Sequence, residues 1–239
     1  AQASTLPLHI RSLARQPAAA AMGAVKDVAA VSACVLAVVA VWVAMHGPLQ
    51  GGGLPMGVWF GWHPVLMTLA FVGLMSAGRI SYTASASWPG LVNKEGRRSL
   101  HRIFMSAALV AALGGYLCIF MAHLPALKYF GYDFKKGEWA SLSHVLHIWL
   151  GYAAIFLALY QAGTGFAKVN ALSRGQRVYT NHGTLGKAIM GTGLAAFLLA
   201  VYFWAWSIPM KIVISGLAAA AVSSSFLLPK PETKQGVAA

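Results

Sequence analysis

The chain has 239 residues, 58% of them hydrophobic and only 10% charged. So few charges exclude a soluble domain of this size and point to lipid as the solvent. The net charge of +13 would suit a nucleic-acid binder, but the basic residues border apolar runs, as topology determinants and headgroup contacts do, so no nucleic-acid partner is expected.

In lipid every backbone polar group must be paired internally, which leaves helices or a closed barrel. The apolar stretches run about twenty residues without alternation, which predicts helices. In chain order, residues 1–27 form a polar tail that bears Ala, Ser and Arg and has no acid before Asp27. That composition suits an organelle transit peptide or the mature end left after its removal; a plain cytosolic tail is the alternative. An Ala/Val-rich span covers 28–46. The second span, 58–78, opens on GWHPVLM with His63, and loop 79–102 leads into the third, 101–123, which opens on SLHRIFM with His101. Loop 124–142 (LPALKYFGYDFKKGEWASL) is aromatic-rich. Its Tyr129, Phe130, Tyr132, Phe134 and Trp139 are assigned to the membrane interface, where such rings are favoured, with a lid over the bundle end as the alternative. The fourth span, 143–166, carries His147 in VLHIWLG. The fifth, 183–206, follows His182 in TNHGTLG. A turn at Ser207-Ile208-Pro209 leads to the weakest candidate span, 208–228, which carries Lys211 near its start and follows the fifth with almost no loop, and then to a polar tail, 229–239. The expected fold is an all-α membrane protein with six transmembrane helices, residues 28–228, and a central four-helix bundle made by spans two to five.

Fourteen of the eighteen Lys and Arg fall on the side of the two termini and of the 79–102 and 168–187 loops. The positive-inside rule therefore places both termini on the cytoplasm-like side: cytosol, stroma or matrix. Cys34 and Cys118 lie inside spans without a CxxC motif, and are expected as buried thiols.

Consecutive spans run antiparallel, so His63 and His147 share one membrane face and His101 and His182 the other. Two imidazoles presented by facing helices of a four-helix bundle make a saturated, low-spin haem site that moves electrons. Two such pairs predict two haem b groups, one near each surface, and a transmembrane electron carrier. A single histidine near a helix end can simply snorkel to the interface; four on successive spans favour the functional reading. His144 competes with His147, three residues away on nearly the same helical face, and His147 is expected because it lies one turn deeper. His46 and His123, at span ends on the His63 side, are expected to meet water, propionates or a substrate. Glycines dot the central spans, where they allow close helix packing or leave room for a flat macrocycle. The His63–His101 separation of 38 and the His147–His182 separation of 35 hint at a duplicated helix pair.

WHPVLM around His63, the basic run ending in His101, LHIWLG around His147 and the His182-Gly183 pair together resemble the cytochromes b561 over about residues 30–228. The resemblance implies six helices, a four-helix haem core and two b haems passing electrons across the membrane. Typical members take electrons from cytosolic ascorbate and deliver them to monodehydroascorbate or ferric iron, which makes the chain a transmembrane ascorbate-dependent oxidoreductase. Members that use ascorbate carry an Arg-bearing aromatic/aliphatic motif at the end of span two, where this chain reads LMSAGRISYTAS with only Arg79 in place. Arg79, Lys94, Arg97, Arg98 and Arg102 are candidates to bind an anionic donor beside the inner haem, or serve as topology charges. Two other readings stand beside this one: a haem-carrying accessory subunit of a thylakoid or inner-mitochondrial membrane complex, and a haem-free scaffold or transporter. The expected location is an organellar membrane of that kind or the endomembrane system, in contact with lipid and with a second copy or other subunits as possible neighbours.

Overall fold

The computed structural model describes residues 8–48, 53–83 and 93–227. Among them, six stretches are helical, long and apolar enough to cross a membrane. The first is α1, Leu8–His46. It begins well inside the stretch read as a polar tail from the sequence: its membrane-competent part starts at Met22, and Asp27 is buried. Residues 1–7 and the tail 229–239 lie outside the described residues, as does the polar middle of loop 79–102.

The second span is built from three pieces: α2 (Trp59–Met67), a π-helical stretch (Thr68–Leu74) and α3 (Met75–Thr83). Pro64 has no N–H to give the ladder, and the Thr68 hydroxyl donates to the Pro64 carbonyl at 2.7 Å. Both disturb the regular i to i−4 pattern just where the wider turn begins. This span is the most buried of the six. The third is α4, Lys94–His123, capped by Asn93, whose side chain accepts from the Gly96 N–H at 2.7 Å. The cap sets the helix start seven residues ahead of His101, so that histidine sits about two turns inside. The remaining spans are α5 (Leu142–Ser173), α6 (His182–Phe203) and α7 (Ile208–Leu227).

Between α4 and α5 the chain forms a 3-10 turn, Leu124–Ala126, and a small antiparallel meander of β1 (Lys128–Tyr129), β2 (Tyr132–Asp133) and β3 (Glu138–Trp139). The β1–β2 turn has positive φ at both central residues, 57° at Phe130 and 87° at Gly131. That is the turn whose twist matches a tight hairpin.

Around the core, α2 packs on α4, α4 on α5, α5 on α6, and α6 on the π-helical stretch. The pairs α2/α5 and α4/α6 therefore stand on the two diagonals of the bundle. α1 and α7 pack on each other and flank the second span. Large apolar side chains such as Val110, Phe156 and Ile208 are exposed on the outside, as a lipid-facing surface requires. Cys34 and Cys118 are free and buried, as expected.

The second span meets α6 at one close contact. A Cβ built on Gly193 would stand 2.7 Å from the Phe71 ring, whereas one on Gly191 meets nothing within 4 Å. Gly193→Ala should destabilise the folded protein in detergent by about 1–3 kcal/mol through overpacking. Gly191→Ala should be neutral or stabilising by up to about 1 kcal/mol. Thermal denaturation of the two variants side by side checks this, and equal behaviour would show that the Phe71 contact imposes no constraint.

Candidate functional site

The bundle brings the four core histidines together as two facing pairs. The rings of His63 on α2 and His147 on α5 have centroids 6.2 Å apart and stand nearly perpendicular, at 89°. Those of His101 on α4 and His182 at the start of α6 are 6.4 Å apart at 68°. A metal–imidazole bond of about 2.0 Å, with about 1.1 Å more from nitrogen to ring centre, puts two opposed ligands on one metal atom about 6.2 Å apart. Both pairs leave a gap of that width.

The second ring nitrogens are also disposed as ligation requires. His63 Nδ1 lies 2.9 Å from the Gly115 carbonyl, His101 Nδ1 2.9 Å from that of Gly78, and His147 Nδ1 2.8 Å from that of Ala196. A carbonyl only accepts, so each Nδ1 carries the proton and each Nε2 keeps its lone pair for a metal. Each bond runs to a neighbouring span, so the same contact that fixes the ring also ties two helices together. His182 Nδ1 differs: it is shielded from solvent and has no hydrogen-bond partner.

The His63–His147 pair opens on a cavity of about 680 Å³. Its walls include Phe71, Tyr116, Gly151 and Phe197. Gly151 stands one turn beyond His147, and a Cβ there would meet nothing within 4 Å, so its hydrogen leaves the space beside the His147 ring open. An aromatic-walled cavity between two imidazoles, kept free of side chains, fits a flat macrocycle.

The loop between α4 and α5 roofs this cavity. Its tight turn folds Phe130 back toward Trp149 and Tyr152 of α5, at 6.3 and 5.7 Å. Tyr129, Phe130, Tyr132 and Trp139 all line the cavity, so the lid alternative describes these rings better than an interface belt alone. Phe134 is exposed. The roof is pinned by Asp133, which pairs with Lys128 at 3.2 Å and accepts from the main-chain N–H groups of Lys135 and Lys136. Desolvation pushes the Asp133 carboxyl up, but the Lys136 N–H, the Lys128 ammonium and the Lys135 N–H outweigh it and hold the group below the usual carboxylate range.

His144 also lines this cavity but is engaged elsewhere. Its Nδ1 bonds to the Ser141 hydroxyl at 2.7 Å and its ring stacks on Phe203 at 3.7 Å. His46 is held by the Leu54 carbonyl at 2.8 Å and packs near Trp62, while His123 lines the cavity. At the other end, Tyr82 sets its ring edge-on to His101 at 4.8 Å.

The five basic donor-site candidates separate. Arg79 lies with its guanidinium 5.5 Å from the centre of the Phe226 ring on α7, and its Nε is shielded from solvent. Arg97 is buried, with a 3.5 Å contact from its guanidinium to the Ser81 carbonyl. Lys94, Arg98 and Arg102 are exposed. The structure thus leaves three of the five exposed, half-buries Arg79 against α7 and buries Arg97. Sequence reasoning missed Tyr82, Gln161, Phe203 and the acceptor carbonyls, because main-chain acceptors leave no trace in residue type.

Such a bundle, with two facing imidazole pairs toward its opposite ends, defines a polytopic membrane protein built around paired histidines. The chain belongs to the eukaryotic cytochrome b561 family, a family of haem b proteins, which it matches over residues 62–208. It is also similar to the lysosomal membrane ascorbate-dependent ferrireductase CYB561A3 of Bos taurus, at 33% identity over 112 residues. That match covers 45% of this chain and 36% of the bovine protein, so the chain spans about a third of the relative's length.

Because the Asp133 carboxyl is held low, its contribution to roof order is fully present above the ordinary carboxylate pKa and is lost only as pH falls through the lowered folded value. Asp133→Ala should remove that contribution at neutral pH. Hydrogen exchange across residues 128–140 should then be faster in the variant than in the parent at pH 7, and similar in the two once the parent's Asp133 is protonated.

Proposed function

We propose that the chain carries electrons across its membrane through two haem b groups, one held by His63 and His147, the other by His101 and His182. The observation that carries this reading is the matched spacing of the two imidazole pairs, 6.2 and 6.4 Å. Haem b in such a site supplies a reversible one-electron centre saturated by its two axial imidazoles.

The chain's own residues do the rest. The carbonyls of Gly115, Gly78 and Ala196 fix three of the ligand rings in tautomer and orientation and raise their basicity. The aromatic roof and the Phe71 and Phe197 walls make the lining of the His63–His147 end mostly apolar. At the other end, the exposed Lys94, Arg98 and Arg102 raise the local concentration of an anionic reductant. Ascorbate fits that chemistry, and the similarity to the bovine ascorbate-dependent ferrireductase supports it. The electron leaves toward the roofed face, to ferric iron or monodehydroascorbate, which makes the protein a transmembrane oxidoreductase of the ferric or monodehydroascorbate reductase type. By the basic-residue excess, the His101–His182 end and both termini face the cytoplasm-like side. The lysosomal name of the relative favours the endomembrane system over a thylakoid or inner-mitochondrial membrane.

Haem quantitation and reduced-minus-oxidised spectra test the assignment. Two low-spin haems per chain are expected. His63→Ala and His147→Ala should each remove one and the same haem, and His101→Ala and His182→Ala the other, while His144→Ala should retain both. One haem per wild-type chain would overturn the pairing.

Reduction by ascorbate should slow several-fold in Arg98→Gln/Arg102→Gln at low ionic strength, and the difference from wild type should shrink as salt approaches 1 M, where the screening length is about 3 Å. Stopped-flow rates that are the same in variant and parent across that salt range would leave these arginines as topology charges alone.

A further inference from the structure

Three core histidines give their Nδ1–H to a main-chain carbonyl, and the acceptors obey a rule. Gly115 stands fourteen residues after His101 on α4, Ala196 fourteen after His182 on α6, and Gly78 fifteen after His63 on the second span. Each helix that carries a histidine near one end thus carries an acceptor for its packing neighbour's histidine near the other. The same offset of fourteen from His147 on α5 falls on Gln161.

This residue and His182 each hold an orphaned atom. His182 Nδ1 and Gln161 Oε1 are both shielded from solvent, and neither has a hydrogen-bond partner. One is a donor in the tautomer that frees Nε2, and the other is an acceptor. The carboxamide is already against His182: Gln161 Nε2 donates to the His182 carbonyl at 2.6 Å. That contact also fixes which end of the amide is nitrogen, since a carbonyl only accepts. Two glycines leave room for the arrangement. A Cβ on Gly186 would come within 3.4 Å of Gln161 Nε2, and one on Gly165 within 3.3 Å of His182 Cε1.

We propose that Gln161 is the positioning residue of His182, its carboxamide oxygen accepting the Nδ1–H while its amide nitrogen holds the main-chain carbonyl of the same residue. A bond between them satisfies both orphans, which are costly to leave unpaired in a lipid-surrounded core. The fourth clip is then made by a side chain where the other three are main chain. A backbone acceptor survives any substitution at its position; this one does not. The basicity of His182, and with it the balance between oxidised and reduced iron at the His101–His182 site, is therefore set by the identity of residue 161. The proposal rests on His182 being a haem ligand.

The test is a redox titration of the purified holoprotein and of Gln161→Leu and Gln161→Glu, read at the haem that His182→Ala removes. Gln161→Leu deletes the acceptor and should raise the potential of that haem. The expected size is on the order of tenfold in the reduced-to-oxidised ratio at fixed ambient potential, which is 59 mV for one electron. Gln161→Glu keeps an acceptor oxygen and makes it more basic, so it should shift the same haem the opposite way. The haem of His63 and His147 should titrate unchanged in both variants, which shows that the fold is intact. Loss of the His182-side haem in Gln161→Leu with its retention in Gln161→Glu also supports the proposal. Both variants lose the Nε2 contact, so shifts of the same sign in both would mean that Gln161 acts only through the main chain, and would overturn the proposal, as would no shift in either. If His182→Ala retains the full haem content and spectrum, the ligand assignment itself fails. If His182→Ala loses a haem and the Gln161 variants titrate as wild type, only the role of Gln161 fails.

Discussion

An imidazole inside a lipid-facing bundle has to dispose of its Nδ1–H, and in this protein the answer is a carbonyl on the next span. In a regular helix that carbonyl already accepts from the N–H four residues on, so the histidine uses its second lone pair. For the ring to reach it, the two helices must come close, and that is why Gly78 and Gly115 stand at two of the three acceptor positions and small Ala196 at the third. Helix spacing, ring orientation and tautomer thus all follow from one kind of contact. The pairing of rings across the diagonals is then a consequence of how two clipped helix pairs lie against each other.

The second span is the hinge of that arrangement. Its π-helical stretch buries Thr68, Ala70, Phe71, Val72 and Gly73 between α1, α4, α6 and α7. A wider turn shifts the angular position of everything after it, so His63 before it and Gly78 after it are aimed independently of a continuous 3.6-residue period. Phe71 is set down on Gly193, where a side chain would not fit. The disturbance begins at Pro64, the residue directly after the proposed ligand His63.

The two ends of the bundle differ in character. The His63–His147 end is roofed by an aromatic meander whose turn and ion pair hold it down, while the His101–His182 end carries exposed Lys94, Arg98 and Arg102. The roof itself carries Lys128, Lys135 and Lys136, so the two ends differ in architecture, a folded aromatic meander against exposed basic helix-end side chains, more than in charge.

The number of spans, the membrane setting and the two histidine pairs are written in the sequence. Apolar length and the position of each histidine along its span are one-dimensional quantities, and antiparallel alternation converts them into faces. The offset of fourteen or fifteen residues between a histidine and the acceptor on its own span emerges only with the hydrogen bonds of the fold. Four other features needed the fold. The start of α1 at Leu8 depends on helix continuing past the apolar run, the aromatic loop became a roof only through a turn with positive φ at Phe130 and Gly131, and Arg97 is buried at the Ser81 carbonyl while Arg79 is half-buried against Phe226 of α7. Helical spacing of three residues does not separate His147 from His144, whereas in the fold the His147 ring pairs with His63 and the His144 ring stacks on Phe203. What the chain alone determined is periodic or compositional; what tertiary structure decided is which groups from distant segments meet, because that depends on helix rotation and local turn geometry, neither of which is encoded in residue type at a single position.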